Sequence, residues 1–461
     1  MRLQSPWTPY LAPLDAPVSE RLVKALADDI LEGRLETGAR LPAHRDIAWK
    51  LGIGVGTVTK AYAVLDRRGL TRSVKGRGTF VATRQAHQGP IIDMSINAPP
   101  TMLSERLLAR TLSDMAKRVD PHLFALYPPP AGHMEHRRLM ARWLETIGMA
   151  ADPAHIVLTS GAQQALWLVF SLLCSRGETL YTERITYPGA ISLAKYAGYR
   201  LRGVDIDGEG IVPAALDMAL AEGRKREEVG AVYLTPTMHN PTTSTMGLAR
   251  RRAVAEVCRR HDVPIIEDDV YAFAADVRLP PLAMLAPERT FYVNSLAKTL
   301  SPGLRIGALV VPPTFLDRAE AALRAASSMA SPLSCALMEA WLTSGAAASV
   351  RASIRMEATR RRAIAASFLG GAMAQPSHDG FHVWMPMPRD EADQFVRGAA
   401  GLGIMLTQPD TLSVDPNDLV SGVRICLGGP SLSELTRGLE ALASLHAYSS
   451  ASSASPSAPI V

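Results

Sequence analysis

The 461-residue sequence contains few cysteines and no long uninterrupted run of apolar residues. The cysteines show no paired spacing of the kind used by zinc sites or redox motifs, so no metal site is predicted. They are Cys174, Cys258, Cys335 and Cys426. The most apolar helix-like stretch, ALWLVFSLLCS, covers 11 residues and is too short to cross a bilayer. The opening residues also lack the apolar run of a signal peptide. These absences lead us to expect a cytoplasmic protein with reduced core thiols and no membrane segment.

Positive charge is concentrated near one end of the chain. Between Arg40 and Arg84, ten lysines and arginines stand against two acids, a balance of +8. The whole chain has a net charge of +5, so the remainder carries −3. A basic segment on a slightly acidic body is typical of contact with a polyanion, although a solvated charged face would give the same count.

Three helical patterns and a hairpin occupy this basic segment. SERLVKALADDILEG, AHRDIAWKLG and TVTKAYAVLDRRG place apolar residues three and four apart. LTRSV and TFVA follow as short strands around the glycine turn KGRG. This order predicts a winged helix-turn-helix over residues 15–82, with its third helix in the major groove. The expected DNA contacts are Arg45, Thr57, Thr59, Lys60, Lys75 and Arg77. A helical domain that binds protein is the alternative, and the charge and the wing favour DNA.

The same stretch resembles the DNA-binding head of GntR-type regulators. The resemblance rests on ILEGRLETGARLPAHRDIAWKLG, GTVTKAYAVLDRRGL and GRGTFV, which occur in order with few gaps. Residues 83–91 are polar and patternless and are predicted to be a linker. Residues 448–461 are rich in serine and alanine and are predicted to be a disordered tail.

Residues 92–447 alternate short β-branched runs with helical stretches. HIVLT, AVYLTPT, VPIIEDD, TFYVNS and GALVV are the runs that carry this pattern. The alternation predicts a doubly wound α/β domain, whose ligands bind at the carboxyl ends of its strands. From about residue 315 the pattern indicates a smaller α+β subdomain. The expected fold class is therefore multi-domain α/β with an N-terminal winged helix-turn-helix.

Unusual polar residues follow these runs. Lys298, in VNSLAKTLSPGLRIG, lies between short apolar stretches, and burial would lower its pKa toward a neutral, nucleophilic amine. Asp268 needs a cationic partner if it is buried, although it could equally be a helix cap. Asn240 could supply its amide to a ligand or could form an Asx turn. Tyr187 could stack on a ligand or could be an aromatic residue of the core.

These groups fit one ligand, pyridoxal phosphate. Lys298 would react with its aldehyde, and Asp268 would keep its pyridine nitrogen protonated. Asn240 and Tyr271 would face its phenolate oxygen, and Tyr187 would stack on the ring. The phosphate would lie at a helix N-terminus, where free N–H groups bind anions, with further charged and hydroxyl contacts. The expected phosphate contacts are Gly161, Ala162, Gln163, Ser295 and Arg305.

This constellation resembles fold-type I aminotransferases over roughly residues 92–445, and with the head the chain resembles the MocR-type branch of GntR regulators. The resemblance implies that Lys298 is the Schiff-base lysine and that Tyr127 reaches the phosphate of a neighbouring subunit in a homodimer. It also implies that Arg424 holds a substrate carboxylate, where the residues alone allow a surface ion pair. The expected function is a regulator that binds an operator near its own gene and senses an amino acid or amine.

Two other functions stay open on the residues alone. A working aminotransferase with an accessory DNA-binding head uses the same Lys298, Asp268 and Arg424. A cofactor-dependent scaffold whose head binds protein would show no loss of affinity as salt rises. The Ser-x-x-Lys pattern SLAK also matches penicillin-binding enzymes, but their Ser-Asp-Asn and Lys-Thr-Gly partners do not occur in this sequence.

Overall fold

The structure is a computed structural model, and it describes residues 10–11, 17–31, 34–35, 38–67, 70–74, 78–81, 91–118, 120–274, 279–374 and 380–453. Apart from Gly398–Ile404, which group with the first unit, the chain divides into two compact units at the boundary between Ile91 and Ile92. The linker predicted for 83–91 and the first residues of the predicted head, 15 and 16, fall almost entirely outside the described residues.

The first unit consists of three helices followed by a two-stranded hairpin, as predicted for a winged helix-turn-helix. Its elements are α1 (Val18–Leu31), α2 (His44–Leu51), α3 (Val55–Arg67), β1 (Thr71–Val74) and β2 (Gly78–Val81). The strands β1 and β2 pair antiparallel, with Thr71 opposite Val81.

The helices of this head pack around one apolar core. The apolar residues that this three-and-four spacing places on one side of α3 are all buried, which confirms the helical period. They are Val58, Ala61, Tyr62 and Leu65. The helix begins two residues earlier than its sequence pattern suggests, because the Gly54 carbonyl already accepts the amides of Thr57 and Val58.

The second unit alternates helices and strands along most of its length. Its first half contains β3 (Ile92–Asp93), α4 (Glu105–Arg118), α5 (His122–Ala125), α6 (Met134–Glu145), β4 (Ile156–Thr159), α7 (Ala162–Leu173), β5 (Thr179–Glu183), α8 (Pro188–Ala197), β6 (Arg200–Val204), β7 (Ile206–Asp207), β8 (Gly210–Ile211), α9 (Pro213–Lys225), β9 (Val229–Leu234) and α10 (Leu248–Arg260). Its second half contains β10 (Ile265–Asp268), α11 (Leu282–Leu285), β11 (Thr290–Ser295), β12 (Gly307–Val310), α12 (Leu316–Ser327), α13 (Pro332–Thr343), α14 (Ala346–Leu369), β13 (His382–Pro388), α15 (Arg389–Gly401), β14 (Ile404–Met405), β15 (Val420–Cys426) and α16 (Leu432–Ser453).

A seven-stranded sheet forms the centre of this unit, in the order β4-β12-β11-β10-β9-β5-β6. The strands from β11 to β6 are parallel, and β12 runs antiparallel to both β11 and β4. Neighbouring residues of a strand face opposite layers, so that on β9 Tyr233 packs with α7 and α8 while Val232 packs with α9 and α10. This two-sided burial confirms the predicted doubly wound fold. It also brings the carboxyl ends of β4, β5, β9, β10 and β11 to one edge.

A smaller, two-stranded sheet carries Arg424, one of the predicted site residues. Strands β13 and β15 pair antiparallel, with Trp384 opposite Arg424. The predicted disordered tail from 448 is wrong for its first residues, since α16 continues to Ser453. Alanine, which recurs through the second half of α16, is the strongest helix former, so low complexity alone did not end this helix. Residues 454–461 lie outside the described residues.

Two expectations about composition can be checked on the described residues. The four cysteines are free and buried, as predicted. Within the described ranges, none of the helices combines the length and the apolar character that crossing a membrane requires.

Candidate cofactor and ligand site

Lys298 lies in the loop that follows β11. Its ammonium donates to the backbone carbonyl of Asn97, and Nζ is 5.8 Å from the ring centre of Tyr271 and 5.9 Å from that of Phe381. Loss of solvation lowers the pKa of Lys298 to about 8, a shift that the nearby Arg424 charge reinforces and Asp268 opposes. A lysine in this state supplies far more neutral amine at physiological pH than an exposed one.

Asp268 is the last residue of β10 and is buried. Its Oδ2 accepts a hydrogen bond from the Tyr233 hydroxyl at 3.0 Å, whereas its Oδ1 is buried with no hydrogen-bond partner among the described residues. Burial raises the pKa of Asp268 to about 6, although the Tyr233 hydrogen bond and the Lys298 charge lower it. A buried carboxylate oxygen without a partner is costly, so Oδ1 is suited to a cationic N–H group such as a protonated pyridine nitrogen.

Arg424 lies in the middle of β15 and is buried against neutral acceptors. Its guanidinium donates to Asn240 Oδ1 at 2.8 Å, to the Ser95 carbonyl at 2.9 Å and to Thr407 Oγ1 at 2.8 Å. Its Nε is buried and has no hydrogen-bond partner within the described ranges. No acidic side chain in the described part of the chain forms a salt bridge with it, so the predicted alternative of a surface ion pair is wrong.

Asn240 and Tyr271 were both expected to face the phenolate oxygen of the cofactor. The carbonyl oxygen of Asn240 is held by Arg424, which leaves its amide N–H2 group as the available donor. The Tyr271 hydroxyl accepts from Asn97 Nδ2 at 2.6 Å. Burial raises the pKa of Tyr271 well above its ordinary value, so the hydroxyl keeps its proton and can donate it in a hydrogen bond.

Tyr187 immediately precedes α8, and its hydroxyl bonds to Gln163 in the first turn of α7. Its ring lies so close to Gly189 that a Cβ there would be 2.4 Å from the ring. Its hydroxyl donates to Gln163 Oε1 at 3.2 Å, and Gln163 Nε2 donates to the Gly189 carbonyl at 3.0 Å. This small network fixes the orientation of the aromatic ring that was predicted to stack on the cofactor.

The predicted phosphate cradle is built from α7 and Arg305. Gly161 precedes the helix with φ +90°, and a Cβ at this position would be 2.7 Å from the Arg305 guanidinium. Arg305 is exposed and donates to the Ser160 carbonyl at 3.0 Å. Ala162 and Gln163 are the first residues of α7, whose initial N–H groups have no acceptor within the helix. A glycine is therefore required where the cation and the helix N-terminus meet.

Ser295 differs from its predicted role as a phosphate contact. Its hydroxyl donates to the Ile306 carbonyl at 3.0 Å and accepts from the Ala297 amide at 3.1 Å. Because its single proton is used within the loop, Ser295 shapes the approach to Lys298 and has no donor left for a phosphate.

Tyr127 stands apart from these groups and is 86% exposed. Its predicted contact with a neighbouring subunit stays a prediction.

The predicted DNA contacts lie on the head. Arg45 and Lys60 are exposed, and Thr57 is half-buried. The Thr59 hydroxyl donates to the Val55 carbonyl at 2.9 Å and lies 3.1 Å from His44 Nδ1, so it supports the start of α3. Lys75 and Arg77 lie outside the described residues.

Sequence reasoning missed two residues that organise the site. Tyr233 holds Asp268, and Asn97 contacts both Lys298 and Tyr271. A tyrosine within an apolar strand indicates a buried hydroxyl that needs a hydrogen-bond partner. This signal was present in the sequence for Tyr233. Nothing local marked Asn97.

Comparisons with known proteins agree with this architecture. The family model for aminotransferase class I and II matches residues 89–442, and the model for bacterial regulatory proteins of the gntR family matches residues 18–81.

Two curated relatives are similar along most of their length. The HTH-type transcriptional regulator YdeF of Bacillus subtilis (strain 168) is 27% identical over 94% of this chain and 95% of its own. The vitamin B6 salvage pathway transcriptional repressor PtsJ of Salmonella typhimurium (strain LT2) is 27% identical over 84% of this chain and 90% of its own. Among solved structures, an archaeal alanine:glyoxylate aminotransferase aligns with a TM-score of 0.72 at 22% identity, over 85% of this chain and 95% of that one. This last likeness bears on the fold alone.

Proposed function

The chain belongs to the aminotransferase class I and II family and carries a gntR-family head, and from that premise we propose that it is a DNA-binding transcription regulator whose body binds pyridoxal phosphate and senses an amino acid or amine. Curated relatives that match it from head to body are transcription regulators. A regulator must reach its operator, so we place the protein in the cytoplasm.

The buried Arg424 is the observation that carries the sensing role. Its guanidinium is surrounded by neutral acceptors, although a buried cation is favourable only when it is paired. A ligand carboxylate supplies that pair in a bidentate geometry that arginine prefers. We therefore propose an effector that carries a carboxylate as well as an amine.

The remaining residues fit pyridoxal phosphate by their chemistry. Lys298 would attach the cofactor, Asp268 Oδ1 would accept from its pyridine nitrogen, and Tyr271 and Asn240 would donate to its phenolate oxygen. Gly161, Arg305 and the first amides of α7 would hold its phosphate. When bound, the cofactor supplies an electrophilic carbon that exchanges one amine for another.

Lys298 and Arg424 are bonded to two backbone carbonyls that are close together in the sequence. The carbonyl that accepts from Arg424 belongs to Ser95, and the carbonyl that accepts from Lys298 belongs to Asn97. The two carbonyls are two residues apart, a distance of at most about 7 Å along the chain, which one small amino acid can bridge. The effector's amine would then lie beside Lys298 while its carboxylate binds Arg424.

A homodimer completes this proposal. Tyr127 is exposed in the single chain and would donate its hydroxyl to the phosphate held by a second copy. A monomeric variant of the chain that binds pyridoxal phosphate as tightly as the wild-type dimer would contradict this role for Tyr127.

The test is operator binding by the full chain with and without pyridoxal phosphate and single amino acids. A labelled fragment from upstream of its own gene is titrated against a scrambled competitor. The expected result is competitor-resistant binding that changes with an amino acid in the wild-type and is insensitive to it in Lys298→Ala. Lys195→Ala, at an exposed position of α8, is the matched control. An undiminished response in Lys298→Ala, or sequence-blind binding, contradicts the proposal, and steady transamination with a keto acid would instead indicate an aminotransferase.

A further inference from the structure

A short segment, Ser95–Asn97, lies one residue after β3 and accepts hydrogen bonds from both Lys298 and Arg424. The Ser95 carbonyl accepts from Arg424 at 2.9 Å and from Thr407 Oγ1 at 2.9 Å. The Asn97 carbonyl accepts from the Lys298 ammonium. The side chain that would attach the cofactor, Lys298, and the side chain that would hold the effector carboxylate, Arg424, are therefore both bonded to one stretch of backbone.

The Asn97 side chain adds a second attachment. Its Nδ2 donates to the Tyr271 hydroxyl at 2.6 Å and lies 3.0 Å from His382 Nδ1. Asn97 is buried, so these contacts are not replaced by water. They join the segment to β13 and to the residue expected to face the phenolate oxygen.

These attachments depend on what occupies the site. Lys298 can donate to the Asn97 carbonyl only while its amine is free, because a covalently engaged amine has no spare proton to donate there. A carboxylate on Arg424 competes with the Ser95 carbonyl for the same N–H groups, and the bidentate bond between two oppositely charged groups is the stronger one. Occupancy therefore changes the bonds that hold Ser95–Asn97.

The segment is also the first part of the body that the chain enters after the head. The body begins at Ile92, and only residues 82–91 separate it from the last strand of the head. Resting on the proposed function, we propose that Ser95–Asn97 is the regulatory element that transmits the state of Lys298 and Arg424 toward the DNA-binding head. A ligand shifts an equilibrium only through contacts that differ between the two states, and these backbone bonds supply such a difference.

Hydrogen–deuterium exchange tests whether occupancy of the site changes the segment Ser95–Asn97, with pyridoxal phosphate as the probe. Exchange in the peptide covering Ile92 to Ala98 is compared between the cofactor-free and the cofactor-loaded full chain. We expect it to change on loading, and we expect cofactor-free Lys298→Ala, which lacks the same donor, to differ from the cofactor-free wild-type. Identical exchange in all three samples would overturn the inference.

Asn97→Ala tests whether the segment transmits this change to the DNA-binding head. Asn417→Ala, at an exposed loop position, is the matched control. Each standard α-amino acid is added singly to the loaded proteins, and both its binding, by visible absorbance, and the operator affinity are measured. Effector coupling is typically on the order of 5–150-fold in affinity. We expect Asn97→Ala to bind the amino acid while its operator affinity changes by a factor near unity, and Asn417→Ala to keep the wild-type ratio.

The outcomes separate this inference from the proposed function. A wild-type protein whose operator affinity ignores every amino acid contradicts the proposed function. A responsive wild-type with an equally responsive Asn97→Ala contradicts the role of the segment alone. If Asn97→Ala does not bind the amino acid, Thr407→Val decides, because Thr407 bonds Ser95 from outside the segment and its loss should lower the coupling; an unchanged coupling would overturn the inference.

Discussion

Replacing Asp268 by asparagine should stabilise the cofactor-free protein while weakening its affinity for pyridoxal phosphate. The carboxyl is buried, with one oxygen bonded to Tyr233 and the other without a partner. Burial raises its pKa from 3.8 to about 6. A shift of roughly two pH units corresponds to about 3 kcal/mol between the two protonation states, which is the upper limit of the expected gain in the free energy of unfolding.

The direction of the pH dependence follows from the raised pKa. Below about pH 3.8 the Asp268 carboxyl is protonated in both the folded and the unfolded chain. Its ionisation therefore does not lower the free energy of unfolding there. Between about 3.8 and 6 the unfolded chain releases the proton while the folded chain keeps it, so wild-type stability falls as pH rises. Above about 6 the full cost is present. Asp268→Asn lacks this titration, and its advantage should grow across that window and then level off.

The assay is urea unfolding of the cofactor-free proteins from pH 4 to pH 7.5. Asp410→Asn, at an exposed position, serves as the control and should show no such growth. Titration with pyridoxal phosphate should reverse the order, because the cofactor's pyridine nitrogen offsets the wild-type charge and not the neutral amide. A stability difference between Asp268→Asn and wild-type that stays constant with pH would refute the reasoning.

Three further results are expected. Gly161→Ala should weaken pyridoxal phosphate binding and cost about 1–3 kcal/mol in unfolding free energy, because φ is +90° and the new Cβ meets the Arg305 guanidinium; Gly371→Ala, where a Cβ has open space, should cost less. The rate of covalent cofactor attachment should rise about tenfold per pH unit up to about pH 8 and then level, following the pKa of Lys298; a rise that continues toward pH 10 contradicts this. Lys60→Ala should reduce the slope of log operator affinity against log salt by about 1, and an unchanged slope removes Lys60 from the phosphate contacts.

The architecture was accessible from the sequence because burial leaves a periodic trace. Apolar residues spaced three and four apart marked α3, and β-branched runs marked β9, β10 and β11. The direction of β12, antiparallel to β11 and to β4, leaves no such trace. Strand direction is decided by which neighbours pair, and both directions bury the same side chains.

The site divides in the same way between what is local and what is not. Asp268 ends β10 and Lys298 follows β11, and their chemistry was suggested once they were considered together with the other polar residues that follow strands. Ser295 carried the right functional group, but its hydroxyl is used by Ile306 and Ala297. Its role therefore depended on neighbours that spacing does not reveal.

Residues that connect the reacting groups are the hardest to find, because each bond joins distant parts of the chain. Tyr233 reaches Asp268 across 35 residues, and Asn97 reaches Tyr271 across 174 and Lys298 across 201. A regulator has a particular need for such bonds. A catalyst needs its groups only to hold a geometry, whereas a sensor also needs a bond that ligand binding changes and that leads toward the output domain. In the mechanism we propose, the carbonyls of Ser95 and Asn97 would meet that requirement, since engagement of Arg424 and Lys298 would alter both of their bonds on the stretch of chain that follows the head.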